Sequence, residues 1–201
     1  IKGTSTIDFQ TKYPINSEYS LEGISIENNT KPILTLITKK IGKTSDTIIR
    51  HSYDMRTKTF INETKLEVSP SDYRIQRLDF LEDNSPYLMI SGYQGDGFAR
   101  LNIDTGEIDR NPKHQGEQIE SYTDIDNNTF AFGSYGSARI YTVDKKTLEA
   151  TRVADLDKTS NQSRPFGLTY ANNHLYVGTV SDYGIPGGNL SKIDPKTKKT
   201  L

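Results

Sequence analysis

Four times along its 201 residues the chain runs through one pattern: an apolar strand, an Asp, a short turn bearing Thr or Lys, and a second short strand. The four copies read Ser52-Tyr53-Asp54-Met55-Arg56-Thr57, Asn102-Ile103-Asp104-Thr105-Gly106, Thr142-Val143-Asp144-Lys145-Lys146-Thr147 and Lys192-Ile193-Asp194-Pro195-Lys196-Thr197. Their Asp residues lie 50, 40 and 50 positions apart. A period of about 40–50 residues made only of strands and turns is that of a β-propeller blade, a unit that cannot bury its faces alone and must stack on its neighbours. In such a molecule function sits on loops around a shared axis, not in one local motif.

Each repeat also has an upstream half, an alternating strand, an Asn-rich turn and a second apolar strand ending near Gly. The clearest copy is Gly167-Leu168-Thr169-Tyr170, the turn Ala171-Asn172-Asn173-His174, and Leu175-Tyr176-Val177-Gly178. Asn and Asp suit such turns because they tolerate positive φ and hydrogen-bond their own backbone. Alternation within a strand sends one face inward. The expectation is an all-β propeller of four-stranded antiparallel blades, with the blades near residues 21–62, 73–110, 117–152 and 164–201. Residues 1–20, through Thr6-Ile7-Asp8-Phe9, are read as an outer strand of a closing blade. Two architectures fit four repeats: a small closed ring, or part of a six- to eight-bladed ring. The second would expose two sheet faces and would self-associate or require its missing half.

Composition narrows the classes. Hydrophobic residues are 33% of the chain, yet 12 Tyr and 7 Phe are present, which favours a polar-surfaced β protein over a disordered one. With 25 basic and 26 acidic residues and a net charge of −1, no broad field draws in nucleic acid or a membrane surface. Without cysteine there is no disulfide framework, no Cys-ligated metal and no thiol nucleophile. No apolar run of about 18 residues exists to span a bilayer.

Arg164-Pro165-Phe166-Gly167-Leu168-Thr169-Tyr170, then His174-Leu175-Tyr176-Val177-Gly178-Thr179 and Ser191-Lys192-Ile193-Asp194-Pro195-Lys196-Thr197, resembles the bacterial seven-bladed propeller repeats of the YVTN and quinoprotein-like kind. The resemblance covers roughly residues 75–201. It implies the fold, and a setting among surface proteins, polysaccharide-processing enzymes and binding scaffolds. It transfers no catalytic residue by position.

Several motifs imitate known sites and fall short. Gly42-Lys43-Thr44 looks like the end of a phosphate-binding loop, but the position five residues before Gly42 is Ile37 instead of Gly. Asp124-Ile125-Asp126-Asn127-Asn128 imitates a calcium loop, but its sixth position is Thr129 and its twelfth Tyr135. It reads better as a turn between strands, although calcium held by loop carbonyls stays open as a reading. His51, His114 and His174 lack metal-ligand spacing. The recurrence of Asp54, Asp104, Asp144 and Asp194 points to a structural task shared by every blade, accepting backbone N–H groups in the turn.

Topology supplies the best candidate surface. Linkers between blades and the loops between second and third strands share one rim. That rim is expected to collect Tyr93, Gln94, Asp96 and Arg100 from one blade, Tyr135 and Arg139 from the next, and Asp182 and Tyr183 from the last. His114, Gln115, Gln118, Gln162 and Arg164 come from the linkers. Aromatic faces beside Gln, Asp and Arg suit sugars or a protein partner. The reading favoured is an extracellular or cell-surface module that binds a glycan or a protein. The alternative is a polysaccharide lyase or hydrolase, with His114 or Tyr183 as base beside Arg164 or Arg139, or with Asp96 and Asp182 as the carboxylate pair.

Overall fold

The computed structural model describes residues 17–27, 32–69, 73, 75–81, 85–92, 97–110 and 118–201. Within them the chain forms fifteen strands and one short helix. The first sheet is β1 (Ser20–Glu27), β2 (Ile33–Lys40), β3 (Asp46–Asp54) and β4 (Thr59–Val68). The second is β5 (Ile75–Phe80), β6 (Tyr87–Gly92), β7 (Phe98–Asn102) and β8 (Ile108–Arg110). The third is β9 (Ile119–Asp124), β10 (Thr129–Ser134), β11 (Arg139–Asp144) and β12 (Ala150–Asp155). Helix α1 (Leu156–Ser160), capped by Asp155, leads to the fourth sheet, β13 (Gln162–Ala171), β14 (His174–Ser181) and β15 (Gly188–Ile193). An isolated bridge from Ile193 to Thr200 extends its outer edge. Every pairing is antiparallel and follows chain order, so each sheet is a meander. This is the four-blade arrangement expected of a propeller. The proposed outer strand at Ile7–Phe9 lies outside the described residues.

The C-terminal hairpin of each blade shows why the repeat exists. Asp54 Oδ1 accepts from the N–H groups of Arg56 and Thr57, Asp144 from Lys146 and Thr147, and Asp194 from Lys196 and Thr197. In the second blade the acceptor is Asn102, bonded to the N–H groups of Asp104 and Thr105. Asp104 therefore does not belong to the series. It reaches out instead to Arg50 of the first blade, 2.9 Å away. What recurs is an acceptor at a fixed backbone position, and Asn serves as well as Asp. Four residues after each acceptor the chain turns left-handed, at Lys58, Gly106, Leu148 and Lys198. The residue just after it donates across to the start of the second strand: Met55 to Pro32, Ile103 to Pro86, Lys145 to Asn128. In the last blade Pro195 holds that position and has no N–H to give.

Three apolar layers join the blades. Ile37 and Ile48 of the first meet Ile75, Leu78, Leu88 and Ile90 of the second. Met89 and Phe98 of the second meet Phe130, Phe132 and Val143 of the third, with Phe98 edge-on to both phenyl rings. Ala131 and Ile140 of the third meet Leu175, Val177 and Ile193 of the fourth. Each such side chain taken from water contributes about 2 kcal/mol. A second-strand residue thus faces the previous blade at one position and the next blade at the neighbouring one, the period-2 rule applied between blades.

The innermost strands carry a bulge at one register. Leu21, Ile75, Ile119 and Pro165 pair with Thr38, Gly92, Ser134 and Thr179, and the next paired residue is Gly23, Arg77, Ser121 and Gly167. One extra residue is left between them in every blade: Glu22, Gln76, Glu120 and Phe166. Such a bulge bends the strand and re-aims the extra side chain.

Candidate functional site

The rim that carries the inter-blade linkers and the second-to-third strand loops is best defined where the third and fourth blades meet. Two of the bulged residues arrive there, Glu120 from β9 and Phe166 from β13. The Arg164 guanidinium lies 4.5 Å from the Tyr135 ring centre and 5.1 Å from that of Phe166. Its Nη2 is 3.4 Å from Glu120 Oε1, and Gln118 Nε2 approaches the same carboxylate oxygen at 3.4 Å. Backbone bonds fix the frame: Tyr135 N–H donates to Gln118 O at 2.8 Å, and Ala138 N–H to Ser163 O at 3.1 Å. Glu120 is buried and Arg164 half-buried, so the pair is held away from bulk screening on one side only.

The outer faces of this stack reach solvent. Phe166 is 54% exposed and Tyr135 37%. Arg164 Nε and the fully buried Ser134 Oγ have no hydrogen-bond partner among the described residues. The cluster offers an aromatic platform with a rigid planar cation in its middle, and a neutralised charge beneath it. That suits stacking and hydrogen bonding, not proton abstraction. Each cation–π contact contributes on the order of 0.5–1 kcal/mol at such partly exposed positions.

The remaining sequence candidates distribute unevenly. Arg139 turns away to Asp155, 3.6 Å distant. Asp182 and Tyr183 stand on the β14–β15 loop, tied to the start of β13 through Asp182 N–H to Asn161 O at 3.1 Å, and Tyr183 is 89% exposed. Gln162 is committed internally, accepting from Thr179 Oγ1 at 2.7 Å. Arg100 is removed from the rim by its partners: it pairs with Asp109, donates to Lys146 O, and lies over Tyr87 at 4.8 Å. Tyr93, Gln94, Asp96, His114 and Gln115 fall outside the described residues. Glu120 and Phe166 are the residues that sequence reading missed. Their signal is a phase slip, since residues of one face stand three apart at Leu21/Ile24, Ile75/Leu78, Ile119/Tyr122 and Pro165/Leu168 where alternation demands two.

On the opposite rim a depression of about 640 Å³ is lined by Phe80, Leu81, Asp124, Asp126, Asn128 and Lys145. The calcium-like stretch is there a turn between β9 and β10, with Asp126 accepting from Asn128 N–H and Asp124 bound to Lys145 Nζ at 2.8 Å. Among the described residues no group of three His, Asp or Glu is placed to hold a metal ion. His51 is buried on β3 against Thr38 Oγ1, and burial lowers its pKa. His174 sits on the β13–β14 turn beside Asn172 O.

No protein-family model matches the chain, and no curated protein matches it. Solved structures do. Hydrazine synthase of Kuenenia stuttgartiensis shares 14% identity at a TM-score of 0.56, over 96% of this chain and 51% of that one. The Cps50 (Swd1) β-propeller domain of Myceliophteria thermophila shares 15% at 0.52, over 92% and 57%. YCF48 bound to D1 peptide shares 8% at 0.51, over 92% and 71%. With four meander sheets stacked face to face, this similarity makes the fold a β-propeller. The chain spans about half the length of the first of these structures, which it matches over 51% of that chain.

Proposed function

We propose that the chain is a binding module whose rim, at the junction of the third and fourth blades, holds a segment of a partner protein. The observation that carries the reading is Arg164 stacked between Tyr135 and Phe166 with both rings open to solvent. Tyr, Phe and Arg are the residues that anchor protein interfaces, because they offer large contact area at low entropic cost. Tyr183 and Ile185 stand exposed on the β14–β15 loop. That the similar YCF48 structure holds a peptide supports the reading by analogy. So does the resemblance of residues 164–197 to YVTN and quinoprotein-like repeats, which are common in binding scaffolds. A glycan is the second reading, because the exposed faces of Tyr135 and Phe166 suit the C–H faces of a sugar.

The test is selection of a random peptide display library against the chain, with a glycan array alongside. Enriched peptides should lose affinity on Phe166→Ala by about tenfold or more, the scale of a hot-spot residue. Arg164→Ala is the poorer probe, because it leaves the buried Glu120 carboxylate unpaired. Peptides that bind equally well to Phe166→Ala and Tyr135→Ala would overturn the reading, and array hits sensitive to the same substitutions would establish the glycan in its place.

A further inference from the structure

The bulged innermost strands reveal a plug and a socket between successive blades. The plug is the residue before the bulge, Leu21, Ile75, Ile119 or Pro165. The socket lies on the second strand, at the residue that faces the next blade: Ile37, Ser91, Gly133 or Gly178, each paired with the residue just after the bulge. Three sockets are filled. Ile75 packs with Ile37 in one core. Ile119 N–H donates to Ser91 Oγ at 3.3 Å. Pro165 presses so closely on Gly133 that a Cβ there would lie 2.5 Å from Pro165 Cγ.

Among the described residues the last socket and the first plug are unmatched. Gly178 repeats the glycine of the third blade, yet a Cβ placed on it meets nothing within 4 Å, and neither does one on its strand neighbour Gly167. Leu190, paired with Gly178 on the same face, is 76% exposed. At the other end the plug Leu21 is 50% exposed, with Ile24 and Ile26 of β1 open on the same face, whereas Leu34, Leu36 and Tyr53 further out on that face are buried. Glycine inside a strand costs stability and signals close approach of another backbone. The described chain therefore ends in one empty socket and one unused plug, facing opposite ways around the axis.

We propose that a second copy of the chain supplies the missing contacts: Leu21 of each copy seats in the Gly178 socket of the other, and two four-blade arcs close one eight-bladed ring. The contact continues the interface already made three times within the chain. Head-to-tail contacts of this kind close into a ring only when the rotation fits, and eight blades lie within the range that propellers adopt.

Light scattering on the purified chain tests this. The expected mass is twice the chain's 22.6 kDa at micromolar concentration. Leu21→Asp and Gly178→Arg should each reduce it to the monomer while leaving the far-ultraviolet circular dichroism of a folded β protein. Leu190→Glu serves if Gly178→Arg fails to fold. Because the chain has no cysteine, the variant carrying both Leu21→Cys and Gly178→Cys should form covalent dimers on mild oxidation, and either single variant should form none across this junction. A monomer at 100 micromolar would overturn the proposal and leave the faces for other blades. A dimer unmoved by Leu21→Asp and by socket substitution would overturn it too, as would open-ended oligomers in place of a two-copy species.

Discussion

Asp79 stands at the crowded meeting of the first two innermost strands, its carboxylate 2.8 Å from where a Cβ on Gly23 would lie. Burial pushes its pKa up to about 6, against the partial relief of a hydrogen bond from Phe80 N–H, and the Asp124 and Glu22 charges add to the rise. An unfolded Asp releases its proton near pH 4, so between about 4 and 6 the folded chain binds more protons than the unfolded one. Stability should fall as pH rises through that window. Asp79→Asn should flatten the fall and melt higher than the parent at pH 7.5, with no advantage at pH 4; an unchanged pH profile would contradict this environment. The αL positions make a second residue-scale prediction. Lys58 carries φ of 57° and Gly106 φ of 78° in equivalent turns. Lys58→Gly should stabilise by about 0.5–1 kcal/mol and Gly106→Ala should destabilise by at least as much, read by urea unfolding.

At the scale of strands and turns, the repeat was legible because each hairpin needs an acceptor and a turn, both written in residue type. Its register was not fully legible: Asp104 attracted the reading two residues away from Asn102, the side chain that accepts the turn's N–H groups. Asn172 and Asn173, both at positive φ, carry the turn that the Asn-rich pattern announces. The bulges were hidden because a single extra residue looks like noise until pairing is known. With them went Glu120 and Phe166, half of the rim cluster, whereas Tyr135 and Arg164 were visible as rim residues by topology alone. Gly133 and Gly178, equivalent in register, separate sharply in structure. Gly133→Ala forces Cβ into Pro165 and should cost about 1–3 kcal/mol, while Gly178→Ala should cost little in the monomer. Equal effects in chemical denaturation of the monomer would contradict the plug-and-socket account.

For the whole molecule, the decisive property is openness. Three inter-blade layers join four blades; on the outer face of the first, Leu34, Leu36 and Tyr53 are buried while Leu21, Ile24 and Ile26 of β1 are exposed, and on the last Leu190 is exposed. A closed four-bladed ring would need a fourth layer between them. Small-angle X-ray scattering of the monomeric Leu21→Asp variant tests this most directly. A compact globule of this length has a radius of gyration of about 16–17 Å. The open arc predicts a clearly larger radius and an elongated distance distribution; a monomer at the compact value, with a symmetric distribution, would contradict it.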